Sequence, residues 1–203
     1  MQANRLNRLM HGLLAVIALC ASSLAFAADA PRVRFDTTVG AFTVELDAEK
    51  APKSVANFLK YVEDKFYDGT IFHRVIPNFV AQAGGMTPDM REKATRAPIP
   101  LESRNGLKNL KGTIAMARRP DPDSATSQFY INLSDNGNLD YPSFDGNGYA
   151  VFGRVIDGMS TITRIAMIPT AAGDVPRENI VIKSAVLLPA SAPAAASAPA
   201  AKK

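Results

Sequence analysis

In the run Ala41–Leu46 the apolar side chains of Phe42, Val44 and Leu46 alternate with Thr43 and Glu45, the period of a strand with one buried face. Across the turn Thr38-Val39-Gly40 it is joined to Arg32–Thr37, and the two predict a β-hairpin. The period then changes. Val55, Phe58, Leu59, Val62 and Phe66 fall at i, i+3, i+4, i+7 and i+11, one apolar stripe along a helix. Pro52 suits the first turn of that helix, and Asp68-Gly69 ends it. The stripe is expected to be core, with the helix capping a sheet.

Short strand-like runs follow at Thr70–Val75, Phe79–Gln82, Thr113–Ala117, Gln128–Leu133 and Tyr149–Ile156, separated by loops rich in Gly, Pro, Asp and Asn. Met159, Ile162 and Ile165 predict a second helix with Asp157 as its N-cap, and Ile180–Leu188 a last strand. Many short strands and two helices, without regular βαβ alternation, argue for a closed antiparallel barrel rather than a doubly wound sheet. No internal repeat is present.

The ends break this pattern. Arg5 and Arg8 precede an uncharged, mostly apolar run from Gly12 to Leu24 and then Ala25-Phe26-Ala27. A basic start, a short apolar stretch and a small-x-small site predict a cleaved signal peptide over residues 1–27 and export, to a bacterial periplasm or along a eukaryotic secretory route. Short loops and no cysteine in the mature part favour the periplasm. An uncleaved anchor is the alternative, but the run falls short of the ~20 apolar residues that span a bilayer. Leu19 is too bulky to precede a lipidated Cys20. From Pro189 to Lys203 the chain is nearly all Ala, Pro and Ser, which predicts a disordered tail with little to bury. One domain, residues 28–188, is left between them, and a hydrophobic fraction of 47% suffices for its core.

Removal of residues 1–27 would change the chemistry available. The net charge drops from +4 to +2, and Lys and Arg are interspersed with Asp and Glu, so no nucleic-acid stripe remains. Cys20 and His11 leave with the segment, which excludes disulfides and makes His73 the only histidine. A lone histidine has no partners for a catalytic triad or a zinc site. No metal or other cofactor is expected, nor stable membrane insertion after cleavage.

The informative segment is Phe72-His73-Arg74-Val75-Ile76-Pro77-Asn78-Phe79-Val80-Ala81-Gln82-Ala83-Gly84-Gly85, one Arg and one Gln set among large apolar residues. On residue types alone this is a strand with a surface arginine. It resembles, however, the cyclophilin signature F-H-R-x-I-P-x-F-x-x-Q-x-G. Thr113–Arg118 is similar to the next strand of that family, Ser127-Gln128-Phe129-Tyr130-Ile131 to its S-Q-F-F-I motif, and Tyr149–Val155 to its x-x-V-F-G-x-V motif. Four matches in family order cover nearly all of residues 31–188. The resemblance implies an eight-stranded antiparallel β-barrel closed by two helices, and peptidyl-prolyl cis-trans isomerase (rotamase) activity on proline-containing polypeptides, here exported proteins as they fold. It implies a monomer that needs no cofactor.

It also implies roles. Arg74 falls at the catalytic arginine and Gln82 at the glutamine that orders it and the substrate backbone. Phe79, Val80, Ala117, Tyr130, Leu139 and Tyr149 fall at substrate-binding positions. Val80 replaces the usual methionine and Tyr130 the usual second phenylalanine. Asn138 stands where many eukaryotic members carry tryptophan, and Tyr149 where they carry histidine, so cyclosporin binding, which uses that tryptophan, does not carry over. Residues outside these roles are read structurally: His73 as a packed, hydrogen-bonded strand residue, Phe129 and Met116 as core, Arg118 and Arg119 as solvated loop charges. The competing class is a proline-binding or chaperone module whose catalysis is incidental, and isomerase turnover separates the two.

Overall fold

The computed structural model describes residues 30–189. The predicted signal peptide and all but the first residue of the predicted tail therefore lie outside the described residues. Eight antiparallel strands form one sheet: β1 Arg32–Thr37, β2 Gly40–Leu46, β3 Phe72–Ile76, β4 Val80–Ala83, β5 Thr113–Met116, β6 Phe129–Asn132, β7 Val151–Asp157 and β8 Ile182–Leu187. Two helices, α1 Pro52–Glu63 and α2 Met159–Met167, accompany them. Among the described residues no helix is long and apolar enough to cross a membrane.

Strand order is β3-β4-β6-β5-β7-β2-β1-β8. The sheet curls, but it does not close into the expected barrel: β3 and β8 share no ladder and meet only at the isolated bridge Ile71–Val181. The reason lies in the turn that leads into β3. Gly69 N–H donates to the Ile182 carbonyl and Ile182 N–H to the Thr70 carbonyl, both at 2.8 Å. The Asp68 carboxylate accepts from Ala185 N–H at 3.2 Å. The free edge of β8 is thus capped by a turn, which satisfies its polar groups where a strand would have closed the barrel.

The apolar face of the hairpin is buried as expected at Val33, Phe35, Phe42, Val44 and Leu46, but Thr43 is buried as well, where β2 shifts register against β7. On α1 the stripe of Val55, Phe58 and Val62 is buried, Leu59 packs beside it, and Phe66 lies beyond the helix end. The Phe58 ring meets those of Phe35, Tyr67, Phe129 and Phe152, the centre of the core. The first turn of α1 has no cap from its own Ala51. Glu102, from the long loop before β5, accepts instead from Lys53 N–H at 3.0 Å and Ser54 N–H at 2.8 Å, placing a negative charge at the positive helix end.

The N-terminus of α2 differs from the expectation. Asp157 ends β7, and the N-cap is Gly158 with φ 79° and no side-chain cap. A Cβ there would collide with the Ala41 carbonyl and Phe42 of β2, so the sharp exit from β7 selects glycine over a capping side chain.

Candidate active site

Cross-strand register places the chemistry on one face. Val75, Ala81, Ile131 and Ile114 lie opposite one another across β3, β4, β6 and β5, and all four are fully buried in the core. The neighbouring row is Arg74, Gln82, Tyr130 and Ala115, in the same order of strands. Successive side chains of a strand point to opposite faces, so this row projects from the outer face of the sheet.

That outer row opens into a hollow of about 350 Å³ lined by Arg74, Phe79, Val80, Gln82, Ala117, Arg118, Tyr130, Asn138, Leu139, Phe144 and Tyr149. All eight residues singled out from the sequence lie on it. Val80, Tyr130 and Leu139 form a small apolar cluster with Ala115 and Val151, separate from the main core, against which Phe79, Ala117 and Tyr149 pack. The rings of Tyr130 and Tyr149 meet edge to face at 6.0 Å. Phe129 points to the other side and is wholly buried in the core, and Met116 is core as well. A larger cavity of about 510 Å³ lies beside Leu46 and Arg154. It holds none of these eight residues.

Arg74 is half-buried, and its Nε lies 3.4 Å from the Asp174 carboxylate. Gln82 sits opposite Arg74 in the ladder, yet its amide donates to Gln128 Oε1 at 2.9 Å rather than meeting the guanidinium. His73 is packed as expected, but the hydrogen bonding expected of it fails at Nδ1, which is buried without a partner, and burial pushes the imidazole pKa down. An imidazole that burial keeps neutral at pH 7 is a poor proton carrier for the hollow.

Arg118 corrects the sequence reading. Its side chain is 2% exposed and pairs with Asp145, whose carboxyl it holds down at about 2. Nε and Nη2 donate to the Gly148 carbonyl at 3.0 and 2.9 Å, and the guanidinium lies 4.5 Å from the centre of the Tyr149 ring. Arg118 is therefore a wall of the hollow and the anchor of the loop 140–148. Arg119 keeps the expected exposed position, paired with Glu92 at 3.2 Å.

Sequence reasoning also missed the polar support beneath the hollow. Tyr130 hydroxyl donates to Asn109 Oδ1 at 2.7 Å, which also accepts from Asn132 Nδ2 at 3.2 Å. Asn136 Nδ2 donates to Asn132 Oδ1 at 2.7 Å and to the Phe79 carbonyl at 2.9 Å. Asn136 also closes the turn that presents Leu139, whose N–H donates to its carbonyl at 2.9 Å. Three hollow residues are thus fixed by one buried asparagine network, and burial pushes the Tyr130 phenol well above its ordinary pKa, so it remains a donor. The available signal was Asn132 ending the strand run Phe129-Tyr130-Ile131, where an asparagine behind apolar residues needs a buried partner.

The arrangement suits one class of ligand. A fixed cation at the rim of an apolar hollow accepts a group that is part hydrocarbon ring and part polar amide. Among the described residues no group of acidic, histidine or cysteine side chains is placed to hold a metal ion.

Comparison with known proteins agrees in kind. Residues 32–187 match the family model described as cyclophilin type peptidyl-prolyl cis-trans isomerase/CLD. Peptidyl-prolyl cis-trans isomerase A of Dickeya dadantii is 47% identical over 187 residues, covering 90% of this chain and 98% of that one. Peptidyl-prolyl cis-trans isomerase B of Escherichia coli is 46% identical over 158 residues, covering 75% and 96%. A crystal structure of a Cryptosporidium parvum cyclophilin type peptidyl-prolyl cis-trans isomerase superposes with a TM-score of 0.67 at 28% identity, covering 79% and 98%.

Proposed function

The chain belongs to the cyclophilin-type peptidyl-prolyl cis-trans isomerases, and from that premise we propose that Arg74 and the hollow around it carry the isomerisation, acting on exported polypeptides. The observation that carries the reading is convergence. Arg74, Gln82 and six apolar or aromatic residues, drawn from strands and loops far apart in the chain, surround one cavity.

The chemistry follows from the bond. Resonance gives the peptide C–N link partial double-bond character and a barrier of ~18–20 kcal/mol. X-Pro bonds populate both isomers but exchange over roughly tens to hundreds of seconds. At the twisted transition state resonance is lost and the proline nitrogen gains a lone pair. The guanidinium of Arg74 donates to that lone pair and favours the twisted form over the planar one, which is what lowers a barrier. Arginine suits the task because it stays protonated throughout.

Magnitudes assign the remainder to the hollow. An acceleration of about 10⁵ requires roughly 7 kcal/mol. One hydrogen bond from a charged donor supplies ~1.5–3 kcal/mol in ordinary settings. Phe79, Val80, Ala117, Tyr130, Leu139 and Tyr149 hold the proline ring while the preceding carbonyl swings, and withdraw the water that favours the planar dipolar amide. No covalent intermediate enters. One chain supplies every one of these groups, so a monomer suffices.

A peptide titration tests the site. Adding an Ala-Pro-containing tetrapeptide should move the NMR amide signals of Phe79–Gln82, Tyr130, Leu139 and Tyr149. Shifts centred on Leu46 and Arg154 would relocate binding to the larger cavity.

Export rests on residues 1–27, and assistance to folding clients in the periplasm follows from it; residues 189–203 are proposed as a disordered tail. Protein recovered from a periplasmic extract should begin at Ala28. Recovery only from cytosol with Met1 intact would overturn the assignment.

A further inference from the structure

The strongest unexplained feature beside the hollow is the loop that joins α2 to β8. Thr170 bridges to Pro176, and Ala171 N–H donates to the Val175 carbonyl at 2.7 Å, so the loop is stapled at its base. Its tip, Ala172–Asp174, packs against β3. Two successive residues there, Gly173 and Asp174, have left-handed backbones with φ 76° and 62°. Glycine tolerates that conformation at no cost, while an aspartate adopts it less readily. The outcome of this geometry is that the Asp174 carboxylate reaches Arg74.

We propose that Asp174 is a positioning residue for the isomerisation: it fixes the guanidinium of Arg74 through Nε and so aims its terminal nitrogens at the hollow. The inference rests on the reading that Arg74 carries the reaction. Asp174 is not among the residues that line the hollow, so the role proposed for it runs through Arg74. Nε is one end of the guanidinium fork; a partner held at 3.4 Å on that edge restricts rotation about the side chain and leaves the two Nη groups as donors. The restriction matters because Gln82, the other polar residue opposite Arg74, is engaged with Gln128. With the side chains of Arg74 and Asp174 41% and 45% exposed, the pair adds little to folding stability. Its effect falls on geometry, where catalysis is sensitive to misplacement.

Full-length Asp174→Asn, which keeps the shape and suits the left-handed backbone, should fold normally and lose about fivefold in kcat, with KM within about twofold. Asp174→Glu should recover at least half of that loss, because the charge returns. In an Arg74→Ala background Asp174→Asn should change nothing further. The NMR signal of the Arg74 Nε–H should shift in Asp174→Asn, a readout that needs no turnover. Unchanged kcat in Asp174→Asn, or a loss that persists without Arg74, overturns the proposal. A change in KM alone overturns it too, since that would mean direct contact with substrate. Should Arg74→Ala itself retain full activity, the parent reading falls; a crippled Arg74→Ala beside a fully active Asp174→Asn removes the positioning role alone.

Discussion

Arg74→Ala is expected to lower kcat/KM for a proline tetrapeptide by about 10²–10³-fold, the range seen when a donor aimed at transition-state charge is removed from a preorganised site. The mechanism assigns this arginine a bond that exists only while the amide is twisted, so the loss should appear in kcat more than in KM. Residual catalysis should persist, because the apolar hollow still holds the ring and excludes water. Stability should hardly change. The arginine side chain is 41% exposed and its partner is a half-exposed carboxylate, a pairing worth at most ~1 kcal/mol. A protease-coupled assay beside a urea melt checks both statements. Activity within threefold of wild type in a folded Arg74→Ala protein would contradict the role.

The second large effect is expected at Arg118. Arg118→Met keeps much of the aliphatic bulk but removes the guanidinium from a site where 2% of the side chain reaches solvent. The Gly148 carbonyl loses two donors, Asp145 loses its cation and Tyr149 loses the charge over its ring. Losses of this kind at a buried polar anchor sum to about 2–4 kcal/mol. The loop 140–148 should loosen first, carrying Phe144 and Tyr149 out of place at the edge of the hollow. Isomerase activity should fall with stability, and faster exchange of the amides at 140–149 should accompany it. A variant within about 0.5 kcal/mol of wild type would mean that Arg118 is the solvated surface charge its sequence context suggested.

The contrast between Arg74 and Arg118 shows what the sequence made legible. Arg74 sits inside a contiguous segment whose residue types alone read as a strand with a surface arginine, and only the resemblance of that segment to the cyclophilin signature gave it a role. Every strand and both helices were foreseen because alternation and helical stripes are local patterns that burial enforces. Arg118 opens a run of Arg, Pro, Asp and Ser that looks like any solvated loop, and the partner that buries it lies 27 residues further on. The asparagine network has the same character, since Asn109 and Tyr130 are joined only by the folded sheet. Closure of the barrel failed as an expectation at a turn. Asp68-Gly69 read as the helix stop, but the helix already ends at Glu63, and nothing local told that the turn at Asp68-Gly69 would take up the edge of β8. Asp157 was misassigned as a cap because capping propensity was weighed without the steric crowding that only glycine relieves at position 158.

The central claim concerns rotation on the protein rather than affinity for it. NMR exchange spectroscopy on a saturated Ala-Pro peptide, with wild type and Arg74→Ala compared at equal occupancy, measures both quantities in one sample. The account predicts that Arg74→Ala still binds the cis and trans forms with similar affinity while their interconversion on the protein slows by about two orders of magnitude. Interconversion as fast as in wild type at equal occupancy would contradict it.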